Sequence, residues 1–234
     1  MENVNLPFKG LLVVALLCSC SPQDNLETNA INGSETFKTG VTAPGNKLNA
    51  YDSAGESYRE LLTIYQSGTY APESLAAIKA IVNELTGSPT ITATSTNGAS
   101  DALLSDIIQS PEATFVTILQ QSGLSQNAKD ILSDFVAGFE VLKAKSFEAF
   151  YIEIISQETT VSSSDLLTPE DKRVLLTVMS IARYSLSNKC CEDTDWETSV
   201  GNIVAATAGA LINADTAIRY TLITRIGEYE LVPL

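Results

Sequence analysis

Apolar residues three and four positions apart recur along this chain, and that spacing constrains its fold more than any other feature. Tyr58, Leu61, Leu62 and Tyr65 fall at i, i+3, i+4 and i+7, the signature of a helix with one buried face. Leu75, Ile78, Val82 and Leu85 repeat the pattern ahead of Gly87, and Leu103, Leu104, Ile107 and Ile108 form a third stripe. Ser110 as cap, Pro111 at the first helical position and Glu112 in the first turn predict another helix, ending near Gly123. Ser125 opens a longer segment with Ile131, Leu132, Phe135, Val136, Phe139 and Leu142 on one face. After a break near Lys145, Phe147, Phe150, Tyr151, Ile154 and Ile155 continue the periodicity. Thr168 and Pro169 start a further helix striped by Val174, Leu175, Val178, Ile181 and Ala182. Residues 86–99 and the polar stretch "QETTVSSSD" (157–165) read as loops. No segment rewards a strand reading. The fold expected is all-α, an irregular bundle of about seven to eight helices.

The last helical region, 197–226, has a composition of its own. "SVGNIVAATAGAL" sets Gly201, Ala205 and Gly209 four residues apart on one face, where small side chains let another helix come close. Asn213 and Asp215 interrupt the run well short of the roughly 20 apolar residues that a membrane span requires. It is therefore expected to be a central, buried, small-residue helix; the competing reading is an amphiphilic segment that inserts into membranes.

The amino terminus carries an address. "LLVVALLCSCSPQ" (11–23) holds a short apolar run behind Lys9, the length of a secretory signal's core and too short to span a bilayer. Leu17-Cys18-Ser19-Cys20 resembles the lipobox of bacterial lipoproteins, with Leu three residues before the modified cysteine and a small Ser just before it. That resemblance implies a signal peptide over 1–19 and a diacylglycerol-bearing Cys20 as the first mature residue. Several acyl chains on one residue anchor firmly, whereas a single chain is marginal. Ser21, in place of Asp, favours the outer membrane, and Asp24 and Glu27 resemble the acidic surface-export signals of Bacteroidota lipoproteins. Residues 20–48 are polar and read as a lipidated tether, which by coil scaling reaches on the order of 30 Å. An all-helical domain is expected over 49–234.

Composition narrows the chemistry. The formal charge of −14 argues against nucleic acid as a partner. With no histidine in the chain, Ser-His-Asp and Cys-His catalysis and histidine-based metal sites are excluded. No phosphate-binding glycine motif is present, and no cofactor is expected. "KCCEDTDWE" (189–197) concentrates what remains. Cys190 and Cys191 are a weak redox candidate, because adjacent cysteines close only a strained ring. Asp193, Asp195 and Glu197 fit positions one, three and five of a calcium loop, but Thr198 stands where the glycine belongs and Val204 where the bidentate Glu belongs. A solvated acidic loop beside Trp196 is the simpler reading. Glu140, Glu148 and Glu153 are the carboxylates available to a glycosidase-like pair. Asp52-Ser53-Ala54 and Asp215-Thr216-Ala217 match a short Bacteroides O-glycosylation pattern, and their positions at helix starts suggest capping instead.

Asn49-Ala50-Tyr51-Asp52-Ser53-Ala54-Gly55 with Leu61 resembles the Asn-Pro-Tyr-Asp…Gly…Leu opening of uncharacterised Bacteroidota lipoproteins. "LSQNAKDIL", "LTPEDKRVLLTVMSIARYS", Trp196 and the Gly/Ala-rich tail follow in similar order. Ala50 replaces the usual Pro, and Tyr58-Arg59 stands where a His-Asn pair is common. The resemblance implies a helical envelope lipoprotein and carries no activity with it. Three functions compete at this point. The first is a non-enzymatic module that sits on a bilayer through acylated Cys20 and binds an envelope protein or glycan. The second is a carboxylate-dependent glycan or peptidoglycan hydrolase, and the third a toxin- or immunity-like helical protein.

Overall fold

Helix starts are written into this chain by hydroxyl caps, and the structure uses most of them. The computed structural model describes residues 44–87, 101–186 and 198–231. Among these it forms nine helices and no strand: α1 (Asp52–Ser67), α2 (Leu75–Leu85), α3 (Asp101–Gln109), α4 (Pro111–Gln121), α5 (Gln126–Lys143), α6 (Phe147–Ser163), α7 (Pro169–Ser185), α8 (Val200–Ala210) and α9 (Ala214–Leu231). The side chains of Ser74, Ser125, Ser146, Thr168 and Ser199 each accept a hydrogen bond from a first-turn N–H, satisfying donors that the helix itself leaves orphaned. At α7 the device is doubled, since the Asp171 carboxylate reaches back to the Thr168 N–H at 2.9 Å and so completes a capping box. Ser110 occupies the cap position of α4 without a side-chain bond; Pro111 behind it supplies the fixed φ. Gly87, at φ +60°, follows the end of α2.

Three helices form the centre. Every residue of α8 from Gly201 to Ala210 is buried, as is every residue of α7 from Val174 to Ser185. α9 is buried at Ala217, Ile218 and continuously from Tyr220 to Gly227. α8, the most apolar of the three, belongs in the interior; it pairs with α9 as a hairpin, with α7 alongside. Around them α1, α2, α4 and α6 each bury one face, with α1 and α6 on α7, α2 on α9 and α4 on α8. Phe139 contacts Phe135 and Phe150 edge to face, tying α5 to α6. The small-residue face predicted for 197–226 has a definite job. A Cβ on Gly209 would lie 2.5 Å from the Ala217 Cα, so the α8–α9 crossing requires glycine there. No helix among the described residues is long and apolar enough to cross a membrane.

Three expectations need correction. The stretch "QETTVSSSD" is not a loop: α6 runs through Ser163, because Glu158 and Val161 are drawn into the core. Asp52 and Asp215 do not cap their helices. Tyr51 is the residue before α1 and makes no side-chain cap bond, and at α9 the cap is Asn213, whose Oδ1 accepts from the Thr216 N–H at 2.8 Å. The folded body also reaches further toward the amino terminus than position 49, since Pro44 and Asn46 are already buried.

Candidate functional site

The residues at the start of the body are stitched into it by one buried cation. Arg183, on the enclosed stretch of α7 from Val174 to Ser185, is 0 % exposed and Glu158 on α6 is 1 % exposed. Burying either charge alone is prohibitive, so the two must meet. Arg183 donates to Glu158 Oε1 through Nη2 (3.0 Å) and Nε (3.3 Å), and through Nη2 to Asp52 Oδ1. Asn46 and Asn49 finish the solvation of Glu158, their side-chain amides donating at 2.6 and 2.9 Å. The Asn49 amide also donates to the Leu176 carbonyl at 3.0 Å. Asp52 Oδ2 accepts from the Tyr184 hydroxyl and from the Asn46 N–H, both at 3.1 Å. Burial alone would pull the Arg183 guanidinium down, but the charges of Glu158 and Asp52 and their hydrogen bonds hold it above its ordinary value. Burial, then the Asp52 charge, push the Tyr184 phenol up to about 12.

This clasp explains the motif that opens the domain. Asn49 also forms an Asx turn to the Tyr51 N–H at 2.8 Å. Gly55 is required because a Cβ there would lie 2.4 Å from the Tyr184 ring and 2.5 Å from the Ser180 carbonyl. Ser180 Oγ accepts from the Gly55 N–H at 3.1 Å and donates to the Asp52 carbonyl at 2.9 Å. Thus the stretch 49–55 and the stretch 168–185, read separately in the sequence, meet around one guanidinium. With its acids consumed internally, the cluster has the character of a structural staple.

A second polar cluster sits where α8 begins. Glu228 on α9 accepts from Ser199 Oγ (2.7 and 2.8 Å) and from the Asn202 amide (2.6 Å). Arg225 Nη1 donates to Thr198 Oγ1 at 2.8 Å and to Asn202 Oδ1 at 3.1 Å. Burial pushes the Glu228 carboxyl above its ordinary value, against the smaller pull of the Ser199 and Asn202 hydrogen bonds and of Arg225.

An accessible concavity lies elsewhere. A groove of about 700 Å³ is bounded by α3, α4, the start of α7 and the end of α8, within the range of ligand-binding clefts. Its floor is Leu103, Ile118, Leu124, Ala208 and Leu211, and Asp106 and Glu170 stand among its walls. No family model, curated protein or solved structure matches this chain. The groove must therefore be interpreted from its own chemistry.

Of the site residues expected from sequence, Cys20, Cys190, Cys191, Asp193, Asp195, Trp196 and Glu197 lie outside the described residues, as do the signal peptide and tether up to residue 43 and the loop at 88–100. No group of three His, Cys, Asp or Glu residues arranged to hold a metal occurs among the described residues. The glycosidase candidates lie apart from the groove. Glu140 pairs with Lys143 (2.9 Å), Glu153 with Lys145 (3.5 Å), and Glu148 is exposed in the first turn of α6. The membrane-insertion reading of the small-residue helix would require the body to open, because α3, α4, α5, α7 and α9 all pack on α8. Sequence reasoning missed Glu158 and Arg183, whose only local signal is a charge placed on the apolar phase of its helix.

Proposed function

We propose that this chain is a lipid-anchored envelope protein whose helical body acts as a binding module, with the α3–α4–α8 groove as its contact site. The anchor reading rests on Leu17-Cys18-Ser19-Cys20, and the resemblance of residues 49–55 and of the α7 sequence to Bacteroidota lipoproteins agrees with it. The observation that carries the binding reading is the contrast between two parts of the body. The buried charged cluster of Arg183, Glu158 and Asp52 is spent on itself, whereas the groove leaves an apolar floor, hydroxyl lone pairs and the Asp106 carboxylate open to a partner. An envelope protein is the partner class favoured here over a glycan, because the described residues lining the groove include no aromatic ring on which a sugar could stack.

The test has two arms. Cells labelled with a palmitate precursor should incorporate it into the parent chain and not into Cys20→Ala, which should leave the membrane fraction. Thr117→Trp, which fills the groove from an exposed position, should lose partners that the parent captures from an envelope extract. An unlabelled parent chain overturns the anchor, and capture indifferent to Thr117→Trp overturns the site.

A further inference from the structure

We infer that the groove takes a short partner-protein segment in which a Lys or Arg is flanked by apolar side chains. This rests on the binding-module reading and adds the partner's chemistry.

The groove's hydroxyl and carboxylate groups are acceptors, beside the Gln121 amide, which can both donate and accept. The Thr114 hydroxyl gives its proton to the Ser110 and Asp106 carbonyls (2.9 and 3.1 Å), Ser122 to the Leu119 carbonyl (2.8 Å) and Thr117 to the Ala113 carbonyl (3.3 Å). Each hydroxyl therefore presents only lone pairs to an incoming molecule. Asp106 adds an exposed carboxylate that no hydrogen bond or ion pair engages among the described residues. Glu170 is already held by Arg173 in a two-pronged pair at 2.6 and 2.8 Å, so Asp106 is the charge left to recruit. No Lys or Arg is among the described residues lining the groove.

The helix fields agree. Asp106 lies in the last turn of α3, Gln121 to Gly123 close α4, and Ala208 and Leu211 close α8. Three negative dipole ends meet here, and such ends favour cations. Helix starts reach the groove as well, at Ala113 and Thr114 of α4 and at Glu170 of α7, but each already carries acidic residues in its first turn, Glu112 in α4 and Glu170 and Asp171 in α7.

A cation is thus selected by Asp106 and the helix ends, and an apolar neighbour by Leu103, Ile118 and Leu211. A peptide fits better than a simple long-chain amine, because its backbone N–H groups supply the repeated donors that three hydroxyl acceptors require.

The test uses the full chain carrying Cys20→Ser, with titration followed by amide chemical shifts. Three capped tripeptides, Leu-Lys-Leu, Leu-Gln-Leu and Leu-Glu-Leu, are compared with octylammonium. Leu-Lys-Leu should shift groove residues and bind about tenfold more tightly than Leu-Glu-Leu. Asp106→Asn, whose fold is verified by circular dichroism, should erase most of that difference. Equal or tighter binding of Leu-Glu-Leu, an unchanged ratio in Asp106→Asn, or octylammonium binding where no peptide binds would each overturn the inference. If no peptide binds while Thr117→Trp still abolishes partner capture, the binding module stands and this chemistry falls.

Discussion

Arg183 is the residue on which the domain's opening segment depends. Arg183→Met would leave Asp52 and Glu158 without their shared counterion, and removing one partner of a buried ion cluster costs about 3–5 kcal/mol. Urea unfolding should show a loss of that order. A cost near that of a surface substitution would mean that the cluster is solvated in solution. Glu228 makes a prediction with the opposite sense. Its folded pKa lies above the ordinary 4.5, so its contribution to stability is fully present below the unfolded value and is lost as pH rises through the folded one. Glu228→Gln cannot ionise but still offers Asn202 an acceptor. It should therefore match the parent in urea midpoint near pH 4 and exceed it at pH 7, and a variant less stable at pH 7 would contradict this sign. Legibility at this scale follows sequence distance. The Thr168–Asp171 capping box spans three residues, and its start at Thr168 and Pro169 is readable. The partners of Arg183 lie 25 and 131 residues away, and nothing local announces such a pairing. Asn49, Asp52 and Gly55 are visible as a motif, but only the fold shows that they surround a guanidinium.

At the scale of helices, the two glycines at 209 and 138 separate packing from propensity. Gly209 sits against the backbone of α9, whereas a Cβ on Gly138 of α5 would meet nothing within 4 Å. Gly209→Ala should destabilise by about 1–3 kcal/mol through overpacking, and Gly138→Ala should stabilise by about 0.5–1 kcal/mol through helix propensity. Denaturation of both variants side by side checks this, and the same sign in both would remove the close-crossing account of α8 and α9. The amphipathic helices are legible because each buries one stripe, and the period of the stripe is set by the helix itself. The carboxyl half of α6 is not, since Gln157 to Ser163 exposes Thr159, Thr160, Ser162 and Ser163 and buries only Glu158 and Val161. α7 is recognisable as a helix, but Thr177, Ser180 and Arg183 conceal that its stretch from Val174 to Ser185 is enclosed on every side.

For the molecule as a whole, an excess of fourteen negative charges opposes compaction by self-repulsion. Raising sodium chloride from about 0.05 to 0.5 M shortens the screening length from roughly 14 to 4 Å, so the thermal midpoint should rise over that range; a fall would assign the charges to net-favourable pairs. The class of fold is legible because helical stripes recur along the chain, while the short alternation at Thr90 to Thr94 has no second stretch to pair with. The expected cellular address, in residues 1–20, and the redox and metal candidates of 189–197 all lie outside the described residues.

The clasp at Arg183 also has a mechanical meaning. Any tension carried along the preceding chain enters the folded body near Pro44, and there it meets Tyr151, which holds the Gly45 carbonyl at 2.9 Å, then Asn46, Asn49 and Asp52 in succession. Those bonds fasten to α6 and α7 rather than to the segment's own neighbours. A pull would thus be shared across the interior before the first turn of α1 could peel away.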